Sequence, residues 1–153
     1  MKVLVLLLSM FAFSWQTYAE ETKMNVELTA YIPGLGIEYQ IDEKRTLGLN
    51  YSAPFASVNV NMTSYNDGVL NGGYFNNVFL GYGQDKDGAT GFLNLDHYIY
   101  AGAVFGYQWL LDSGINFNAD AGLMLMVFDA AGEMNILPIP AFAASVGYAF
   151  SIE

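Results

Sequence analysis

His97 is the only histidine of the chain, and Asp96 precedes it. An imidazole beside a carboxyl is the smallest set that general acid–base chemistry needs. Standing alone at the start of a strand pattern, His97 reads as a rim or loop residue. Asp85, Lys86, Asp87 and Gly88 resemble the opening of a calcium loop. The glycine arrives too early there, and no glutamate follows at the required spacing, so the stretch reads as a solvated acidic turn. The chain has no cysteine, which removes thiol catalysis, disulfides, thiolate metal sites and a lipidated N-terminal cysteine. No glycine-rich loop leads from a strand into a helix to cradle phosphate. What remains is a set of inward acids, Glu27, Glu38 and Asp120, among the amides Asn50, Asn59, Gln108, Asn116 and Asn118. A carboxyl held away from water needs partners, and Asn50, Asn59, Asn116 and Asn118 are the candidates to supply them. These eight are therefore expected to form a satisfied polar lumen. No catalytic, cofactor-binding or metal-ligating set is expected, and the chain reads as non-enzymatic.

The elements that hold these residues follow from a period of two. Over residues 98–127, Ile99, Ala101, Ala103, Phe105, Tyr107, Trp109 and Leu111 share one face, followed by Ile115, Phe117, Ala119, Ala121, Leu123, Leu125 and Val127. The opposite face carries Tyr98, Tyr100, Gly102, Val104, Gly106 and Gln108, then Asn116, Asn118, Asp120, Gly122, Met124 and Met126. Such alternation is that of two strands, joined through Asp112, Ser113 and Gly114. Matching like faces pairs Leu111 with Ile115, Gln108 with Asn118 and Gly106 with Asp120. About eight segments of this kind emerge, among them 24–32, 35–42, one from Leu47, one after Pro54, 74–82 and a last one from Pro140. Between the second and third, Glu43, Lys44 and Arg45 read as the turn, pairing Asp42 with Thr46, Gln40 with Gly48 and Glu38 with Asn50. Residues 84–96 and 128–139 read as two long loops at one end.

Bulk properties say which face meets what. The chain is 54% hydrophobic and 16% aromatic but only 13% charged, against about 25% in an average soluble domain. No stretch after the N-terminal segment supplies the 18 or so apolar residues of a spanning helix, so strands must do the spanning. The second faces carry glycine, alanine, serine and asparagine rather than the charges a water-facing side requires. The bulky face is thus expected to meet lipid, with Tyr39, Tyr51, Tyr107, Trp109, Tyr148 and Phe150 near segment ends as interfacial girdles. Ala121→Arg is expected to block assembly, and Gly122→Ala to be tolerated. Lys2, the apolar residues 3–8 and 10–13, and Thr17, Tyr18, Ala19 before Glu20 read as a secretory signal peptide. The expected organisation is a signal peptide at 1–19 and one domain at 20–153. The formal net charge of −10 excludes nucleic acid as a partner.

At the C-terminus, Ser145, Gly147, Phe150 and Ile152 fall at the spacing of the terminal signal read by the barrel-assembly machinery of Gram-negative bacteria. With Gly102-Ala103-Val104-Phe105-Gly106-Tyr107-Gln108 and Ala121-Gly122-Leu123, nearly the whole mature chain resembles the small eight-stranded outer-membrane barrels. The resemblance implies an all-β fold, an antiparallel up-and-down transmembrane β-barrel of about eight strands in the outer membrane. It also implies a monomer whose partners are membrane lipids, lipopolysaccharide and, during biogenesis, the assembly machinery. That family includes structural, adhesive, solute-conducting and lipid-modifying members, so the expected role is structural or interactive through the loops. Two alternatives stand beside it, a lipid A-modifying enzyme and a narrow solute conduit. Outer-membrane lipid A deacylases use a strand histidine with a serine two residues on, where this chain has Ile99. Outer-membrane proteases carry an Asp-His pair on larger, ten-stranded barrels.

Overall fold

In the computed structural model, which describes residues 24–31, 34–52, 56–69, 71–84, 97–130 and 133–152, the alternating segments are strands. They are β1 (Met24–Tyr31), β2 (Gly34–Gln40), β3 (Arg45–Ser52), β4 (Ser57–Tyr65), β5 (Gly73–Gly83), β6 (Tyr98–Leu110), β7 (Ile115–Ala130) and β8 (Glu133–Ile152). Each pairs antiparallel with the next, and β1 also pairs with β8, so the sheet closes on itself. The expected signal peptide, the 85–88 stretch and Asp96 lie outside the described residues, as do the side chains of β1, Phe150 and Ile152.

The faces follow the alternation. Along β6, Ile99, Phe105 and Trp109 are exposed while Tyr98, Tyr100, Val104, Gly106 and Gln108 are buried. Along β3, Leu47, Leu49 and Tyr51 point out over buried Thr46, Gly48 and Asn50. The result inverts the usual order of a barrel in water. Glu38, Gln40, Asn61 and Gln108 are inside, and Leu35, Leu123 and Phe142 stand outside, the last two 67% and 76% exposed.

Across β5 and β6 the interior is filled by rings laid over glycines. Phe75 pairs with Gly106, Phe79 with Gly102, Tyr100 with Gly81 and Tyr98 with Gly83. In each pair a Cβ on the glycine would occupy the ring's place. Each glycine thus makes room for the aromatic that its partner strand points inward. Tyr98 and Tyr100 join Met126 in an apolar cluster that also takes in Phe79, Met124 and Ile139.

Three expectations are corrected. The β2–β3 register is Gln40 with Thr46, Glu38 with Gly48 and Gly36 with Asn50, a slip of two from the expected pairing. Asp42 causes it, because its carboxylate accepts the Lys44 amide at 2.9 Å and Arg45 Nε at 2.5 Å. Asp42 therefore belongs to the turn, and Arg45 enters β3. A slip of two preserves the faces but changes every neighbour.

Residues 128–139 are not a loop, since β7 and β8 pair through Phe128 with Asn135 to Ala130 with Glu133. Pro138 and Pro140 both lie within this ladder, and neither interrupts it. The Ala149 N–H donates to the Gly114 carbonyl, on the β7 side. Because the β7–β8 register is unbroken, odd-numbered residues of β8 aim their N–H at β7 and even-numbered ones aim away. Both prolines are even-numbered. On that other side β1 stops at Tyr31, opposite Ser145, so the missing N–H groups remove no bond.

Gly122, finally, has no room for a methyl group, because its Cβ would collide with the Ala103 carbonyl and Val104 Cα. The β6–β7 register otherwise stands as expected: Gln108 pairs with Asn118, Gly106 with Asp120, and the Leu111 N–H donates to Ile115 O. Gly114 takes φ +86°, the left-handed conformation that such a hairpin turn favours in glycine.

Candidate functional site: a cavity inside the barrel

Gly48 brings the interior polar groups together. It lies opposite both Glu38 on β2 and Asn61 on β4, and a Cβ there would overlap the side chains of both. Without one, Asn61 reaches across and donates to the Glu38 carboxyl at 3.2 Å. Thr46 donates to the same carboxyl at 2.7 Å, and the Thr63 and Tyr65 hydroxyls each lie at 3.5 Å. Glu38 is thereby buried and fully met.

Its partners are not those the sequence suggested. Asn50 donates to Asn59 at 3.0 Å, and Asn59 to the Tyr100 hydroxyl at 3.3 Å. On the opposite wall Asn118 donates to Asn116 at 3.4 Å and to Ser145 Oγ at 3.1 Å. Asp120 meets the backbone of Ala143. The eight expected lumen residues therefore divide. Asn50, Asn59, Asn116, Asn118, Gln108, Glu38 and Asp120 are buried or half-buried inside, whereas of Glu27 only the backbone is described, opposite Glu38 and Ala149. Asn61, Thr46, Thr63 and Tyr65 were the residues missed as partners. Asn61 keeps the inward alternation expected of its segment, which in the structure continues through Thr63 to Tyr65, at the start of the expected connection, and which carboxyl these side chains met depended on the pairing.

Toward the short turns, Thr46, Thr63, Gln108 and Asn116 are at most 2% exposed and form a packed polar layer. Beyond it lies a cavity of about 330 Å³. Its lining is mixed: Phe75, Phe79, Val104 and Met124 are apolar, and Asn50, Asn61, Asn77, Asn118, Glu38 and Asp120 are polar. No lysine or arginine lines it among the described residues. The side-chain oxygens of Asn50, Asn61, Asn77 and Asn118 are buried without a hydrogen-bond partner. Among the described residues no three His, Cys, Asp or Glu side chains gather as a metal site.

His97 is elsewhere. It is exposed at the start of β6, its Nδ1 lies 2.5 Å from the Tyr82 hydroxyl, and its ring stacks on that tyrosine. Gln84 Nε2 donates to the same hydroxyl at 2.9 Å. At the C-terminus, Ser145 and Gly147 pair with β1 and β7, and Phe150 and Ile152 pair with Val26 and Met24. No protein-family model, curated protein or solved structure matches the chain.

Proposed function

We propose that the mature chain is a non-enzymatic integral β-barrel of a bacterial outer membrane, with a structural or surface-contact role. The observation that carries this reading is the inverted barrel: a closed sheet whose exterior is apolar and whose interior buries carboxyls and amides. Water would penalise such an exterior, and hydrocarbon rewards it. Exposed Tyr39, Tyr74, Trp109 and Tyr148 sit near the short-turn end, and Tyr51 and Tyr82 near the other, as interfacial girdles do. A crossing takes about 9–11 residues per strand. The 13, 16 and 20 residues of β6, β7 and β8 exceed that length, so their far ends rise beyond the lipid. This protruding β7–β8 hairpin, with exposed Met134 and Ile136, takes over the contact role expected of a second loop. The packed layer of Thr46, Thr63, Gln108 and Asn116 weighs against passage of solutes along the axis.

The test is fractionation of cells expressing the full chain, followed by electrophoresis with and without heating. The chain is expected in the dense outer-membrane fraction and to change mobility on boiling. Recovery in the soluble periplasmic fraction would overturn the proposal.

A further inference from the structure

One row of side chains breaks the apolar exterior. Arg45 pairs with Ser64 across β3 and β4, and Ser64 pairs with Asn76 across β4 and β5. By alternation all three share the outer face with Leu47, Met62 and Tyr74. Tyrosine hydroxyls and the Trp109 ring apart, Ser64 and Asn76 are the polar side chains on that face between the two girdles, among the described residues. Hydrocarbon offers such groups neither donor nor acceptor. The Asn76 amide is exposed and meets no hydrogen-bond partner among the described residues.

The row is inclined to the membrane. Followed from strand to strand, the partners of Tyr31 lead to Asn135, whereas Tyr31 itself pairs with Ser145, ten residues farther down β8 (135 to 145). A row thus climbs away from the short turns by ten residues once around the barrel, which for strands tilted by about 40° is roughly 3 Å per strand. Arg45 lies at the start of β3 beside its turn, Ser64 one step deeper, and Asn76 a further step, two residues above Tyr74 of the short-turn girdle. A glycerophospholipid carries its polar groups in the same order of depth, the phosphate outermost and the two ester carbonyls beneath it.

The charges select the head. Arg45 Nε is held by Asp42 at 2.5 Å, which leaves the terminal N–H groups of the guanidinium for another acceptor. The Asp42 carboxylate accepts from Arg45 and from the Lys44 amide and keeps lone pairs for another donor. Both side chains are more than a third exposed, at 39% and 35%. One charge of each sign complements a zwitterion rather than an anion. A primary ammonium can donate to that carboxylate, and a quaternary one cannot. Toward β6 the stacked rings of Tyr74 and Phe105, with centroids 5.4 Å apart, fence the row, and the Met62–Val78 pair above it offers an apolar bed for acyl chains.

We propose that this row seats one glycerophospholipid with a phosphoethanolamine head, drawn from the leaflet at the short-turn end. The phosphate accepts from Arg45, the ammonium donates to Asp42, and the ester carbonyls accept from Ser64 and Asn76. The inference rests on the membrane reading above.

The experiment refolds the full mature chain in vesicles of equal parts phosphatidylethanolamine, phosphatidylglycerol and phosphatidylcholine with identical acyl chains. The barrel is extracted in mild detergent, and the lipid that stays with it is identified by native mass spectrometry. One phosphatidylethanolamine per chain is expected, about tenfold over either competitor, a difference of about 1.4 kcal/mol. Ser64→Ala with Asn76→Leu is expected to reduce retention about tenfold, and Leu49→Ala, on the same face of β3 but away from the row, to leave it unchanged. Excess soluble glycerophosphoethanolamine, which has the head but no esters, is expected not to displace the lipid. Equal retention of the three lipids, displacement by the soluble head, or undiminished retention in the double variant overturns the proposal. The headgroup preference is read from the unaltered chain, so it stands even if the double variant does not fold. A chain that inserts and shows no preference sinks this inference alone, whereas one that stays out of the vesicles sinks the membrane reading with it.

Discussion

Glu38 shows what a single interior carboxyl requires of its surroundings: four side chains from β3 and β4 converge on it, and none is a cation. Thr46→Val keeps the shape and deletes the shortest of those bonds. It is expected to lower stability by about 1–3 kcal/mol, the range for leaving a buried polar group unmet, read from urea unfolding in vesicles. No change would show that the carboxyl does not depend on Thr46. At the β2–β3 turn, Asp42 sets the register. Partial burial alone would push its pKa up, but the Lys44 amide and Arg45 outweigh that and hold it below the ordinary value. A carboxyl lowered on folding stabilises the fold above its unfolded value and loses that contribution as pH falls through the folded one. The turn amides are therefore expected to gain hydrogen exchange below about pH 4, and Asp42→Asn to remove that dependence. That Glu38 faces inward was legible from alternation. Its partners were not, because Asp42 drew the register two residues along without changing a face.

Among the elements, the β6–β7 hairpin was the most legible, since Ile115, Phe117, Leu123 and Leu125 alternate cleanly with Asn116, Asn118 and Gly122. What alternation left out is the distance between neighbouring backbones. Gly122→Ala is expected to destabilise the barrel by about 1–3 kcal/mol, the range for overpacking, because its methyl would meet the Ala103 carbonyl and Val104 Cα. Unchanged unfolding of that variant would show that the two strands can part at no cost. The β7–β8 extension was hidden for a different reason. Pro138 and the polar residues Asp129, Glu133 and Asn135 signal a loop in sequence. A proline breaks a strand only where its nitrogen is owed a bond, and on the free side of β8 it is owed none.

For the molecule as a whole, low charge and the lack of helices pointed to a closed sheet, and the barrel carries its apolar side outward along β2 to β8. The unpaired edge of β8 was not legible, since it arises from β1 ending twelve residues short of the β8 tip, a feature of pairing rather than pattern. Ala121→Arg puts a cation on the outer face of β7, opposite exposed Phe142, and is expected to cost about 2–4 kcal/mol at the midplane, seen as lost heat-modifiable migration. Normal assembly would mean that this face does not meet hydrocarbon. The chain has no cysteine, so single cysteines can be placed freely along β3 and β4 and labelled with bimane in vesicles containing brominated lipid. Quenching by lipid is expected at Leu47, Leu49, Val58 and Val60 and little at Asn50, Asn59 and Asn61, a period of two along each strand. Quenching on the asparagine face, or none on either, would contradict it.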